Sequence, residues 1–157
     1  METYGSGLLG NDRTHTLKIF GSYALTPDLL LGANLLIQSP EKFSCLGINP
    51  VDDYSAGYGA VSHYCGGVPA PLDQGPKSDW TRNIDLALRY TVPSKYAIGG
   101  KLVLRADIFN VFDTHSVTTR YVTYDYGTVI GTVDPNYGKA TAYNTPRYMR
   151  LGFDLTY

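Results

Sequence analysis

The chain alternates apolar and polar residues at period two, most strictly over its last stretch, YMRLGFDLTY. Met149, Leu151, Phe153, Leu155 and Tyr157 fall on one face of that stretch, and polar or small residues fill the positions between them. Successive side chains of a β-strand point to opposite sides, so the pattern predicts a strand with one apolar and one polar face. A half-buried strand of a soluble sandwich and a strand of a membrane barrel both have this pattern.

Four other segments alternate in the same way. The segment 28–38 also resembles the start of a helix because it follows Thr26 and Pro27. Gly32 and Asn34 weaken a helix, however, and alternate residues from Leu29 to Ile37 form one apolar face at period two, which favours a strand. The chain has 14 Tyr and 17 Gly but only two Glu, which favours strands and turns over helices. We therefore predict an all-β, antiparallel fold. The five predicted strands are 14–24, 28–38, 80–92, 101–112 and 146–157.

The links between these strands are alternately short, at 25–27 and 93–100, and long, at 39–79 and 113–145. Loops that long without structure of their own are uncommon in a compact soluble domain. Outer-membrane barrels, by contrast, have short periplasmic turns and long extracellular loops. With the long loops outside, residues 1–13 end a preceding extracellular loop and the C-terminus lies in the periplasm. A single-chain bacterial barrel needs an even number of strands, at least eight, so five strands predict the C-terminal part of a larger transmembrane barrel.

Charge and motif content argue against several functions. The formal net charge of −1 provides no basic surface for nucleic acid. The three histidines lack the spacing of metal ligands, and Asp52, Asp53 and Asp134 fit turns better than a calcium loop, so we expect neither a metal nor another cofactor. No pair of carboxylates is singled out and no G-x-S-x-G motif occurs, so we do not expect an enzyme.

The chain's two cysteines, Cys45 and Cys65, lie in one Gly-, Pro- and Tyr-rich link. The link offers no apolar run that would bury a free thiol, which favours a disulfide over two unpaired cysteines. Closing a loop of about 20 residues would stabilise the fold by about 3 kcal/mol and would require an oxidising compartment.

Four stretches of the chain are NDRTHTLKIFGSY, DWTRNIDLALRYT, GGKLVLRADIFNVFD and YNTPRYMRLGFDLTY. They resemble the last strands of TonB-dependent outer-membrane receptors. The most specific part is ADIFNVFD (Ala106–Asp113), followed by a long link and by TPR (Thr145–Arg147). The stretch CLGINPVDDYSAGYGAVSHYCGG further resembles the Oar-like subgroup, whose N-terminus carries a carboxypeptidase-regulatory-like domain.

This resemblance implies a barrel of about 22 strands with an N-terminal plug, in the outer membrane of a Gram-negative bacterium. Such a receptor moves a bulky ligand when the TonB complex of the inner membrane energises it. The chain would contact outer-membrane lipid directly and the TonB complex only through the missing N-terminal part. It would be a truncated fragment, without the plug and most of the strands. The barrel assembly machinery would recognise the terminal strand through Leu151, Phe153, Leu155 and Tyr157. The alternative is a secreted, soluble β-sandwich that acts as an adhesin or a glycan-binding module.

Two further groups of residues follow from the barrel hypothesis. The charged residues on the polar faces would line the lumen, whereas in a sandwich they would form a solvated surface. Three tyrosines of the cysteine link are candidate ligand contacts, because tyrosine gives a large contact area at low entropic cost. The lumen set is Asp85, Arg89, Arg105, Asp107, Arg150 and Asp154, and the ligand set is Tyr54, Tyr58 and Tyr64.

Overall fold

The computed structural model describes residues 7–10, 12–96 and 99–157, and these residues form an all-β, mainly antiparallel structure. The predicted all-β, antiparallel fold is thus confirmed. Part of the predicted segment 1–13, namely 1–6 and 11, lies outside the described residues, as do Ala97 and Ile98 of the short link 93–100. The strands are β1 (Thr16–Thr26), β2 (Leu29–Gln38), β3 (Tyr64–Cys65), β4 (Val68–Pro69), β5 (Thr81–Thr91), β6 (Lys101–Phe109), β7 (Val117–Arg120), β8 (Ala140–Tyr143) and β9 (Tyr148–Thr156).

The chain divides into two compact units. The first, which we call the sheet unit, consists of 16–38, 82–115 and 145–157. The second, which we call the loop unit, is built from the described residues of 7–15 together with 39–81 and 116–144.

The five long strands form one sheet in the order β1-β2-β5-β6-β9. The pairs β1–β2, β5–β6 and β6–β9 are antiparallel. The ambiguous segment 28–38 is a strand from Leu29 to Gln38, as its period-two pattern predicts. The described strands do not close into a barrel, since β1 and β9 are the two edges of an open sheet. The transmembrane barrel therefore stays a prediction.

The predicted strand 101–112 corresponds to β6, which ends at Phe109, three residues before the predicted end at 112. Asn110 has a positive φ of 49°, which takes the backbone out of the extended conformation. Its side-chain amide donates to the carbonyl oxygens of Thr114 and Thr145, both at 3.0 Å, and only 2% of the residue is exposed. A buried, fully bonded Asn thus begins the turn after β6, and the apolar Val111 and Phe112 belong to that turn rather than to the strand.

The two long links fold together into the loop unit. They contain the hairpins β3–β4 and β7–β8 and one helical turn, α1 (Ser55–Tyr58). A parallel bridge joins Leu46 to Thr123, so the first link pairs directly with the second. Among the described residues, the buried apolar side chains all belong to this unit; they are Cys45, Ile48, Tyr64, Ala70 and Val117.

Candidate functional site

One face of the sheet unit is apolar across its strands. Leu88, Ala106 and Leu151 lie opposite one another on β5, β6 and β9, and the next row contains Tyr90, Leu104 and Phe153. Cross-strand partners share a face, so these rows form continuous apolar stripes. On β1 and β2 the matching pairs are Leu17 with Ile37, Ile19 with Leu35, and Tyr23 with Leu31.

This apolar face is uncovered. Large side chains on it are strongly exposed, with 71% of Tyr23, 68% of Leu151 and 71% of Phe153 accessible. A monomeric soluble protein rarely exposes a contiguous apolar patch larger than a few hundred Å². The face therefore requires a partner surface or an apolar solvent.

The predicted assembly signal lies at the edge of this sheet. Leu151, Phe153 and Leu155 are on the apolar face of β9, and Tyr157 follows the strand with 91% of its surface exposed. Because β9 is an edge strand, one side of its backbone has no strand partner within the described sheet. The segment is thus both apolar on one face and open to pairing.

The opposite face carries the predicted lumen set, in which two ion pairs link β6 to β9. Arg150 lies directly across from Asp107, and its Nε and Nη2 donate to Asp107 Oδ2 at 3.0 and 2.7 Å. Arg105 pairs with Asp154 on the same two strands. All four side chains are on the polar side of the alternation, so charge is balanced locally across this strand pair.

Asp85 is the centre of a third polar group on this face. It accepts hydrogen bonds from Asn34 Nδ2 at 3.3 Å, from Asn83 Nδ2 at 2.7 Å and from the Asn110 backbone N–H at 2.9 Å. The carboxylate therefore ties β2, β5 and the turn after β6 together. The alternation of the sequence predicts Asp85 as a polar-face residue but does not predict the three asparagines, because isolated asparagines in strands and turns have no distinctive spacing.

Arg89 differs from the other members of the set. It lies directly opposite Arg105, and no carboxylate of a described residue pairs with it. Two like charges directly opposite each other on neighbouring strands destabilise a sheet. The predicted lumen residues are therefore gathered on one face, but their charges are not fully compensated there.

Aromatic side chains also lie on the polar face. Phe109 and Tyr148 stack with ring centroids 4.5 Å apart, and the Arg150 guanidinium is 5.3 Å from the Phe109 centroid. Phe20, across from Asn34, is 81% exposed. An open groove of about 680 Å³ runs over this region, and its lining includes Phe20, Asn34, Asp85, Asp107, Phe109 and Arg150.

The loop unit contains the predicted disulfide, which is confirmed. Cys45 and Cys65 are bonded, with Cα atoms 5.6 Å apart, and Cys45 is fully buried. The Tyr137 hydroxyl is 3.8 Å from Cys65 Sγ, and the Tyr137 ring packs edge-on against Tyr124 at 4.9 Å. Burial raises the pKa of the Tyr137 phenol, and the nearby Tyr124 phenol raises it further.

A buried carboxylate organises the same unit. Asp125 is 2% exposed and accepts hydrogen bonds from the backbone N–H of Ile48 at 2.8 Å and of Gly131 at 2.7 Å. Gly47 must be a glycine here, because an added Cβ would overlap the Tyr64 carbonyl and the Asp125 carboxylate. The sequence alone does not predict the role of Asp125, since nothing in its neighbourhood distinguishes it from a turn aspartate.

The three candidate ligand-contact tyrosines are not equivalent. Tyr54 and Tyr58 flank and end α1 and are 77% and 74% exposed. Tyr64 is 8% exposed and belongs to the core of the loop unit. Of these three candidates, Tyr54 and Tyr58 therefore present their rings at the surface and Tyr64 does not.

Within 7–10, 12–96 and 99–157, no group of three or more His, Cys, Asp or Glu side chains is arranged to hold a metal ion. No helix in the described part of the chain is long and apolar enough to cross a membrane. Comparison of the chain with protein-family models, curated proteins and solved structures finds no match. The resemblance to TonB-dependent receptors therefore stays a prediction that depends on the quoted stretches.

Proposed function

We propose that the sheet unit is part of the wall of an outer-membrane β-barrel, belonging to a TonB-dependent receptor of the Oar-like type for a bulky ligand. The observation that carries this proposal is the uncovered apolar face. In a barrel wall that face contacts lipid, where exposed leucine, phenylalanine and tyrosine side chains are favourable. The proposed role is binding and passage of a ligand, without catalysis.

Strand length supports the same proposal. A transmembrane β-strand that is tilted across the bilayer needs about 9–11 residues. The five strands of the sheet have 11, 10, 11, 9 and 9 residues. Each strand is therefore long enough to cross the hydrocarbon layer, although average strands of soluble proteins are shorter.

The polar face fits the inner side of such a wall. The Asp107–Arg150 and Arg105–Asp154 pairs would lie beside water or another segment of the receptor, as charged residues of barrel lumens do. A closed barrel needs more than five strands, so β1 and β9 would pair with further strands of the receptor. The barrel assembly machinery would recognise β9, and the TonB complex would act through the plug.

Flotation with lipid vesicles tests this proposal. We expect the refolded chain to float with phosphatidylcholine vesicles in a density gradient and to aggregate without lipid, because the apolar face must be covered. Leu104→Lys should reduce flotation, since a basic side chain on the lipid side of a barrel strand costs up to about 2–4 kcal/mol.

Val103→Lys is the matched control, because Val103 is the neighbouring residue of β6 and lies on the polar side, where the introduced cation would face Asp154. It should float like the unmodified chain. A chain that remains monomeric in buffer and stays at the bottom of the gradient would contradict the proposal and would favour the secreted adhesin.

A further inference from the structure

The opposed arginines on the polar face are an unusual local arrangement. Arg89 on β5 and Arg105 on β6 are direct cross-strand partners, so their Cβ atoms are expected about 4.5–5.5 Å apart. The Asp154 carboxylate compensates the positive charge of Arg105, but no carboxylate of a described residue pairs with Arg89. The guanidinium of Arg89 is thus uncompensated and lies directly beside that of Arg105.

These exposed side chains border a half-open cavity of about 320 Å³ at the end of the sheet that holds the β1–β2 turn. Three cationic side chains line it, Arg89, Lys101 and Arg105, against two carboxylates, Asp28 and Asp154. The Thr91 backbone N–H donates to the Asp28 carbonyl at 2.8 Å, which fixes the turn against β5. The cavity therefore has a fixed wall and one excess positive charge.

We propose that this cavity binds an oxyanion, a phosphate or a carboxylate, between the guanidinium groups of Arg89 and Arg105. The planar guanidinium group presents paired N–H donors that match the oxygens of either anion. A bound anion would also relieve the repulsion between the two arginines. The site depends on the sheet alone, so it holds or fails independently of the membrane proposal.

Isothermal titration calorimetry of the full chain, folded in detergent micelles, tests the site directly. Inorganic phosphate and acetate are titrated separately, and sodium chloride at the same ionic strength measures simple screening. We expect saturable binding of at least one of the two oxyanions, and which of them binds more tightly identifies the ligand class. Binding no stronger than that of chloride would overturn the proposal.

Variants of Arg89 locate the site. Arg89→Gln should abolish oxyanion binding, whereas Arg82→Gln removes the same charge from the same strand outside the cavity and should leave binding unchanged. Arg89→Lys retains the charge but loses the paired donors, so it should bind about tenfold more weakly. Unchanged binding in Arg89→Gln would overturn the assignment.

Thermal unfolding provides a readout that separates a ligand site from a structural role. Without oxyanion, Arg89→Gln should melt at a higher temperature than the unmodified chain, because the opposed like charges are gone. With oxyanion, the unmodified chain should gain stability and the variant should not. Equal stabilisation of both proteins by the oxyanion would contradict the proposal.

Discussion

At the scale of single residues, the loop unit depends on polar groups that have no pattern in the sequence. Asp125 accepts hydrogen bonds from two backbone N–H groups. That of Ile48 is 77 residues away in the chain, and that of Gly131 lies across a turn. A buried donor left without a partner costs about 1–3 kcal/mol, so this carboxylate decides how the two long links pack. Its role follows from long-range pairing, which local composition does not reveal.

Tyr137 should make the stability of the loop unit depend on pH in the alkaline range. Its pKa in the folded protein is raised above the ordinary 10.0 by burial and by Tyr124, so the folded state holds the phenol proton more tightly than the unfolded chain. The corresponding stability is fully present below pH 10 and is lost as the pH rises through the folded pKa.

Urea unfolding at several pH values, followed by fluorescence of Trp80 in the loop unit, measures this dependence. Tyr137→Phe should show a smaller loss of stability above pH 10 than the unmodified chain. Tyr126→Phe, at an exposed position of the same unit, should retain the original dependence. Identical pH profiles for all three proteins would contradict this account.

At the scale of elements, the long strands were predictable and the loop unit was not. Period two fixes which side chains share a face, and the uncovered apolar face keeps that pattern recognisable in the five long strands, although Phe20, Leu30 and Leu36 lie on the other face. The hairpins β3–β4 and β7–β8 are too short for a period to show. The end of β6 was missed because a buried Asn110, rather than a loss of apolar character, begins the turn.

The disulfide should stabilise the loop unit. Cys45 and Cys65 are 20 residues apart in sequence, so removing their bond should lower the free energy of unfolding by about 3 kcal/mol. The Cys45→Ala/Cys65→Ala double variant should show this loss in urea unfolding followed by Trp80 fluorescence. Dithiothreitol should destabilise the unmodified chain similarly and leave the double variant unaffected. Equal unfolding midpoints for the oxidised and double-variant proteins would contradict the expected role.

At the scale of the whole molecule, the two units obtain their stability in different ways. The buried apolar residues of the described chain lie in the loop unit, which has its own core and a disulfide. The sheet unit has ion pairs and hydrogen bonds on one face and an uncovered apolar surface on the other. The period-two alternation predicted this two-sided sheet, but no local pattern predicted that the long links would form a core.

The most direct test of the account is whether one face of the sheet contacts lipid acyl chains. Phe153 and Phe20 are a matched pair, since Phe153 is opposite Leu104 on the apolar face and Phe20 is opposite Asn34 on the polar face. Both are strongly exposed, at 71% and 81%. A Trp80→Phe background removes the chain's single tryptophan, so Phe153→Trp and Phe20→Trp each introduce one reporter.

The measurement is fluorescence quenching of these two variants in vesicles whose lipids carry brominated acyl chains. The account predicts strong quenching for Phe153→Trp and little for Phe20→Trp, because only the apolar face lies against lipid. Absence of quenching in Phe153→Trp, or equal quenching in both variants, would contradict it.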